Sequence, residues 1–124
     1  MGPAYNRGMD TYFHNPRCSK SRGALALLAE HGVEPDVVAY FDTPPSTAEI
    51  KALLRKLGLP ARDLMRTGED VYRQLGLADA TLSDAALIEA MHRHPILIER
   101  PIFVRGDRAV IGRPIENVLQ LLQE

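Results

Sequence analysis

The sequence predicts an α/β fold: a mixed four-stranded sheet with flanking helices and a helical insertion between the two halves of the sheet. Three observations carry that expectation. Two β-prone runs, residues 10–14 and 36–41, enclose a helical run, the pattern of a βαβ crossover with parallel strands. Between Pro60 and His94 the apolar spacing is helical throughout. Two short apolar runs near the C-terminus, 102–104 and 109–111, flank a Gly-Asp turn, so the second half of the sheet is expected to be antiparallel.

Each element has its own signal. "DTYFH" (10–14) is a strand that breaks at Asn15-Pro16, a dipeptide that favours a turn. From Ser19 to about His31, Ala24, Leu25, Leu27 and Leu28 recur at helical spacings, and Gly32 stands where a helix stops. Cys18 is thereby placed at the first turn of this helix. "DVVAYF" (36–41) is β-branched and aromatic, and Pro44-Pro45 ends it. Ser46 and Glu49 form an S-x-x-E capping box ahead of Ile50, Leu53, Leu54 and Leu57. Short helices are expected over 60–65, 69–75 and 83–93, the last opened by Ser83 and turning Leu87, Ile88 and Met91 inward. "IFV" and "AVI" follow as a hairpin around "RGDR", and Pro114 suits the first position of a final helix carrying Ile115, Val118, Leu119 and Leu122. The order βαβ, helices, ββα is the thioredoxin-like arrangement, in which the working cysteine follows the first strand.

Bulk properties narrow the function. With 124 residues, 45% hydrophobic and 25% charged, the chain suits one domain over 10–124 with a respectable core. Residues 1–9 are polar and aperiodic and are expected to be a disordered N-terminal extension. No apolar run approaches the roughly 18 residues of a membrane span, and no apolar stretch marks the N-terminus, so a cytoplasmic protein without a membrane partner is expected. The net charge of −1 argues against nucleic acid. A single cysteine excludes an internal disulfide and a multi-cysteine zinc site. His92 and His94 sit at i, i+2 and point apart on a continuing helix, so neither a metal nor a bound cofactor is expected.

The chemistry centres on "HNPRCSKSR" (14–22). A free thiol titrates near about 8.5 and is only a few per cent ionised at neutral pH. A helix N-terminus lowers that value, and Arg17, Lys20 and Arg22 add nearby cations, while His14 and the Ser21 hydroxyl are candidate donors to the sulfur. A C-x-x-x-x-x-R phosphatase loop needs arginine where Ala24 stands, and a C-x-x-C dithiol needs cysteine where Ser21 stands. What survives is a monothiol nucleophile on an anion-binding helix end. Arg100 precedes Pro101 just before a strand, where thioredoxin-like domains place a cis-proline loop facing the active cysteine, so Arg100 is expected to look at the sulfur.

Five segments, "YFHNPRCSKSR" (12–22), "YFDTPPS" (40–46), "LMRTGEDVYRQLGL" (64–77), "HPILIERPI" (94–102) and "VIGRP" (110–114), recur in order along nearly the whole chain after residue 9. On these segments the sequence closely resembles the glutaredoxin-coupled arsenate reductase family. The resemblance implies that Cys18 attacks arsenate and that Arg66, Arg100 and Arg113 bind its oxygens, with His14, Arg17 and Ser21 as supporting positions around the thiolate. Guanidinium forks suit such an oxyanion. It further implies glutathione as co-substrate and glutaredoxin as the partner that resolves the mixed disulfide, because one thiol cannot release two electrons as an internal disulfide.

Two alternatives stay open on the residues alone. One is a glutathione-dependent thiol reductase or transferase that uses Cys18 without arsenate. The other is an RNA-polymerase-binding redox regulator of the same superfamily, which Ser21 disfavours by removing a C-x-x-C switch.

Overall fold

Tyr12 and Phe103 are fully buried and stand opposite each other on neighbouring antiparallel strands, and the sheet is built around that pair. The computed structural model describes residues 10–122; the extension expected over residues 1–9 lies outside the described residues. Two compact units emerge, one of residues 10–43 with 100–122 and one of residues 44–99.

The first unit holds the whole sheet. Strands β1 (Asp10–His14), β2 (Asp36–Ala39), β3 (Ile102–Arg105) and β4 (Arg108–Ile111) lie in the order β2-β1-β3-β4. β1 and β2 are parallel, whereas β1 with β3 and β3 with β4 are antiparallel, as the sequence pattern requires. The crossover is helix α1 (Ser19–Glu30), and its Ala24 and Leu28 pack into one core with Tyr12, Phe103, Val118 and Leu121. α1 stops at Gly32, whose φ of 76° is left-handed, and the following Val33 N–H returns to Leu28 O at 2.9 Å to close the last turn.

Two boundaries differ from the sequence expectation. β2 ends at Ala39, because the N–H groups of Asp42 and Thr43 both turn back to Ala39 O (2.9 and 3.0 Å) and take the chain out of the ladder before Phe41. The last helix, Ile115–Leu122, is a 3-10 helix. With three residues per turn, positions i and i+3 eclipse, so Val118 and Leu121 are its buried residues and Leu119 and Leu122 pack only partly.

Asp10 and Arg105 close the far end of the sheet. They are register partners, and the buried carboxylate takes two parallel hydrogen bonds from the guanidinium, Nε to Oδ1 and Nη2 to Oδ2, both 2.9 Å.

The second unit is helical. It contains α2 (Thr47–Leu57), α3 (Asp70–Gln74) and α4 (Asp84–Arg93), with 3-10 turns at Ala61–Leu64 and Pro95–Leu97. The capping box forms as predicted: Ser46 N donates to Glu49 Oε1 (2.8 Å) and Glu49 N to Ser46 Oγ (3.1 Å). Ile50, Leu53, Leu64, Leu87, Met91 and Leu97 are buried. Arg62 staples the chain after α3, donating to Tyr72 OH (2.9 Å), Leu77 O (2.6 Å) and Asp79 O (3.0 Å). An isolated antiparallel bridge joins Met65 to Ile98. No helix among the described residues is long and apolar enough to cross a membrane.

Gly112 is where the first unit has no room for a side chain. A Cβ there would lie 2.8 Å from Pro101 Cγ and 3.2 Å from Val118 Cγ1, and its N–H donates to Pro101 O at 2.9 Å. Gly112→Ala is expected to overpack this contact and cost about 1–3 kcal/mol. Urea unfolding should show a lower midpoint at unchanged slope, and an unaltered midpoint contradicts the close approach.

Candidate active site

The loop between β1 and α1 is held from inside by polar groups that the fold buries. Asn15 and Ser21 are nearly or fully buried. Asn15 N donates to Ser21 Oγ (3.0 Å), Arg17 N to Asn15 Oδ1 (3.0 Å), and Cys18 N to Asn15 O (3.0 Å). The buried Tyr12 hydroxyl donates to Ser21 O, and burial keeps its proton on well above the usual phenol range. Arg22 Nη1 crosses the outside of the turn to Pro16 O at 2.8 Å. The Asn-Pro break seen in the sequence is therefore a tied loop that delivers Cys18, with extended backbone (φ −94°, ψ 122°), to the N-cap of α1.

Cys18 is half-buried and free. Burial pushes its thiol up, but the backbone N–H groups of Ser21 and Lys20, a hydrogen bond from Arg100 and the charge of Arg113 outweigh it, and the pKa is lowered. No strict N-cap hydrogen bond reaches the sulfur, so the pull of the helix end is that of its aligned N–H groups. Arg113 Nη2 lies 3.4 Å from Sγ, while its Nε donates to Arg100 O at 2.7 Å. Asn117 Nδ2 in turn donates to Arg113 O at 3.0 Å. The peptide bonds Arg100-Pro101 and Arg113-Pro114 are both cis.

The cations at the sulfur are not the ones nearest in sequence. Lys20 acts through its backbone N–H, Arg22 is spent on Pro16, and Arg17 is exposed. Arg100 and Arg113 arrive from either side of the β3–β4 hairpin. His14 and Ser21 are brought together, with His14 Nδ1 2.7 Å from Ser21 Oγ. Burial, then the charge of Arg22, lowers the His14 pKa, which keeps the ring neutral at pH 7. The Ser21 hydroxyl thus shares one hydrogen bond with the imidazole and accepts another from Asn15 N–H. The pair therefore shapes the loop under the nucleophile.

Arg66 belongs to the helical unit. Its Nε donates to Glu69 Oε2 (3.1 Å), its Nη1 to Glu99 Oε1 (2.6 Å), and its N–H to Leu97 O (2.7 Å). Burial alone would lower its pKa, and hydrogen bonds and charge from Glu69 and Glu99 raise it. Sequence reasoning passed over these two carboxylates, and also Asn15, Tyr12 and Asn117. Glu69 had a local signal, standing three residues after Arg66, and Glu99 adjoins Arg100. His92 hydrogen-bonds Pro45 O at 2.8 Å, and among the described residues no three His, Cys, Asp or Glu side chains gather to hold a metal ion.

A half-buried thiol of lowered pKa at a helix N-terminus beside two guanidiniums is suited to attract a small oxyanion and, once ionised, to attack it. The family model described as the ArsC family matches residues 13–121. The chain belongs to the ArsC family. Among its relatives, the uncharacterized protein YfgD of Escherichia coli K12 is 55% identical over 111 residues, covering 89% of this chain and 93% of the relative. An arsenate reductase of Neisseria meningitidis is 50% identical over 111 residues, covering 89% and 95%. A solved arsenate reductase of Vibrio cholerae superposes with a TM-score of 0.88 at 50% identity, covering 90% of this chain and 95% of that one. The thioredoxin-like fold of this ArsC-family chain is thus shared with reductases of known structure.

Alkylation of Cys18 by iodoacetamide should reach half its maximal rate at a lower pH than alkylation of a free cysteine under the same conditions. Arg113→Ala removes a cation that stabilises the thiolate, so the midpoint should move to higher pH. A midpoint unchanged by this substitution contradicts the role of Arg113.

Proposed function

We propose that this chain is an arsenate reductase that uses glutathione and glutaredoxin and works in the reducing cytoplasm. The observation that carries the reading is the Cys18 sulfur held between the N-terminus of α1 and the Arg113 guanidinium 3.4 Å away. The relatives named arsenate reductase support the substrate.

Cys18 thiolate attacks arsenic, forming an S–As(V) bond as a protonated oxygen leaves as water or hydroxide. Arg100 and Arg113 balance the negative charge of the oxyanion, and Arg66 is assigned the third guanidinium on the family resemblance. His14 and Ser21 keep the loop in the geometry that presents the sulfur. Glutathione then displaces a second oxygen. Collapse of this dithiol adduct forms the Cys18–glutathione mixed disulfide and leaves the two electrons of the broken As–S bonds on arsenic, and one water adds to the resulting As(III) as it departs as arsenite. Glutaredoxin takes the glutathionyl group and returns Cys18 to the thiolate. The single cysteine of the chain makes these external thiols necessary.

Arsenate-dependent NADPH oxidation, coupled through glutathione, glutaredoxin and glutathione reductase, should be abolished by Cys18→Ser. Arg66→Ala, Arg100→Ala and Arg113→Ala should each lower kcat/KM on the order of 100-fold while the protein stays folded. Absence of turnover in the wild type, with Cys18 still alkylated at neutral pH, contradicts arsenate as substrate and favours a thiol transferase.

Glu99→Gln weakens the hold on Arg66 and should cost about tenfold in kcat/KM for arsenate, the equivalent of one charge-assisted hydrogen bond. Equal kcat/KM in this variant and the wild type would remove Glu99 from the site.

A further inference from the structure

A groove of about 490 Å³ runs beside the nucleophile loop, walled on one side by His14 to Arg17 and on the other by Ala39, Phe41 and Asp42. That volume falls within the roughly 300–1,000 Å³ of small-molecule sites. The two charges on its walls are of opposite sign, those of Arg17 and Asp42. Among the described residues neither side chain has a hydrogen-bond or ion-pair partner, and they do not pair with each other. Phe41 adds an apolar wall: it is 40% exposed, held in place by stacking on Tyr40 at 4.7 Å between ring centroids. The groove takes its wall from the loop that ends at Cys18, which follows Arg17 directly in the chain.

An anion-binding pocket would carry only the cation, and an apolar docking face would carry neither charge. An unpaired cation and an unpaired anion lining one small groove complement a zwitterion. We propose that this groove binds the peptide co-substrate, a short thiol peptide with a zwitterionic head such as glutathione, with Arg17 receiving an α-carboxylate and Asp42 the α-ammonium, and the peptide lying along Phe41. The assignment rests on the glutathione-dependent reading above. It gives Arg17 a role in binding the second substrate, while Arg100 and Arg113 act on the first. The β2 turn at Ala39, which takes Phe41 and Asp42 out of the sheet, is what places them on the groove wall.

S-methylglutathione, which has no reactive thiol, separates binding from turnover. Titrated into the ¹⁵N-labelled full chain, it should shift the amides of Arg17, Phe41 and Asp42. Arg17→Glu and Asp42→Lys should each weaken that binding at least tenfold. S-methyl-N-acetyl-cysteinylglycine, which has no γ-glutamyl head and no ammonium, should bind at least tenfold more weakly to the wild type. In both variants the amide spectrum should keep the dispersion of the wild type away from the substituted residue, which verifies that the protein is folded. Shifts confined to residues around Arg100 and Arg113, equal affinity in the variants and wild type, or no binding of S-methylglutathione overturn the proposal. Binding in the groove without arsenate turnover in the wild type keeps this site and removes arsenate reduction instead.

Discussion

The charge on one sulfur atom depends on cations that the chain must bring from its far end. Cys18 and Arg113 are 95 residues apart, yet Nη2 and Sγ meet at 3.4 Å, and the same guanidinium holds the Arg100 carbonyl through Nε. A half-buried thiol at a helix end is pulled both ways, up by lost hydration and down first by the Ser21 and Lys20 N–H groups and then by Arg100 and Arg113, and the share of the two arginines arrives only when the sheet is closed. Closing it needs β3 to pair with β1 and the hairpin to return, and Gly112 lets that return pass against Pro101 where any Cβ would overlap the ring.

The nucleophile loop meets a second constraint from below. Ser21 and Asn15 are polar and buried, so each must find partners inside the protein. They find them in one another, in His14 and in Tyr12, and the resulting lattice of short hydrogen bonds fixes the backbone that presents Cys18. The same residues that make the loop stable thus make it a precise support for a reactive group, and the hydroxyl and imidazole serve the sulfur by holding its loop.

The arginines of the described residues divide by the company they keep. Arg105 forks onto the buried Asp10, Arg62 staples the carbonyls after α3, and Arg22 ties Pro16, all of them structural uses of a planar donor. Arg100 and Arg113 turn toward the sulfur, Arg66 is steadied between two glutamates, and Arg17 stands exposed on a groove wall. A composition bias toward arginine explains none of these differences; each follows from which acceptors the fold places within reach.

Much of this protein was legible in the sequence because its signals are local. The apolar spacing of Ile50, Leu53 and Leu54, the Ser46–Glu49 box and the Gly-Asp turn each act within a few residues, and so does the Asn-Pro break that sets Cys18 at the start of a helix. The lone cysteine and Ser21 also decided, without any coordinates, that no internal disulfide forms. Tertiary structure alone decided that Arg22 turns to Pro16 instead of the sulfur, that the last helix winds with three residues per turn to bury Leu121, and that β2 stops short of Phe41. Lys20 and Arg22 are nearest to Cys18 in the chain, but a side chain acts where it points. Arg100 and Arg113 reach the thiolate because strand pairing, a force that no short window of sequence contains, carries them there.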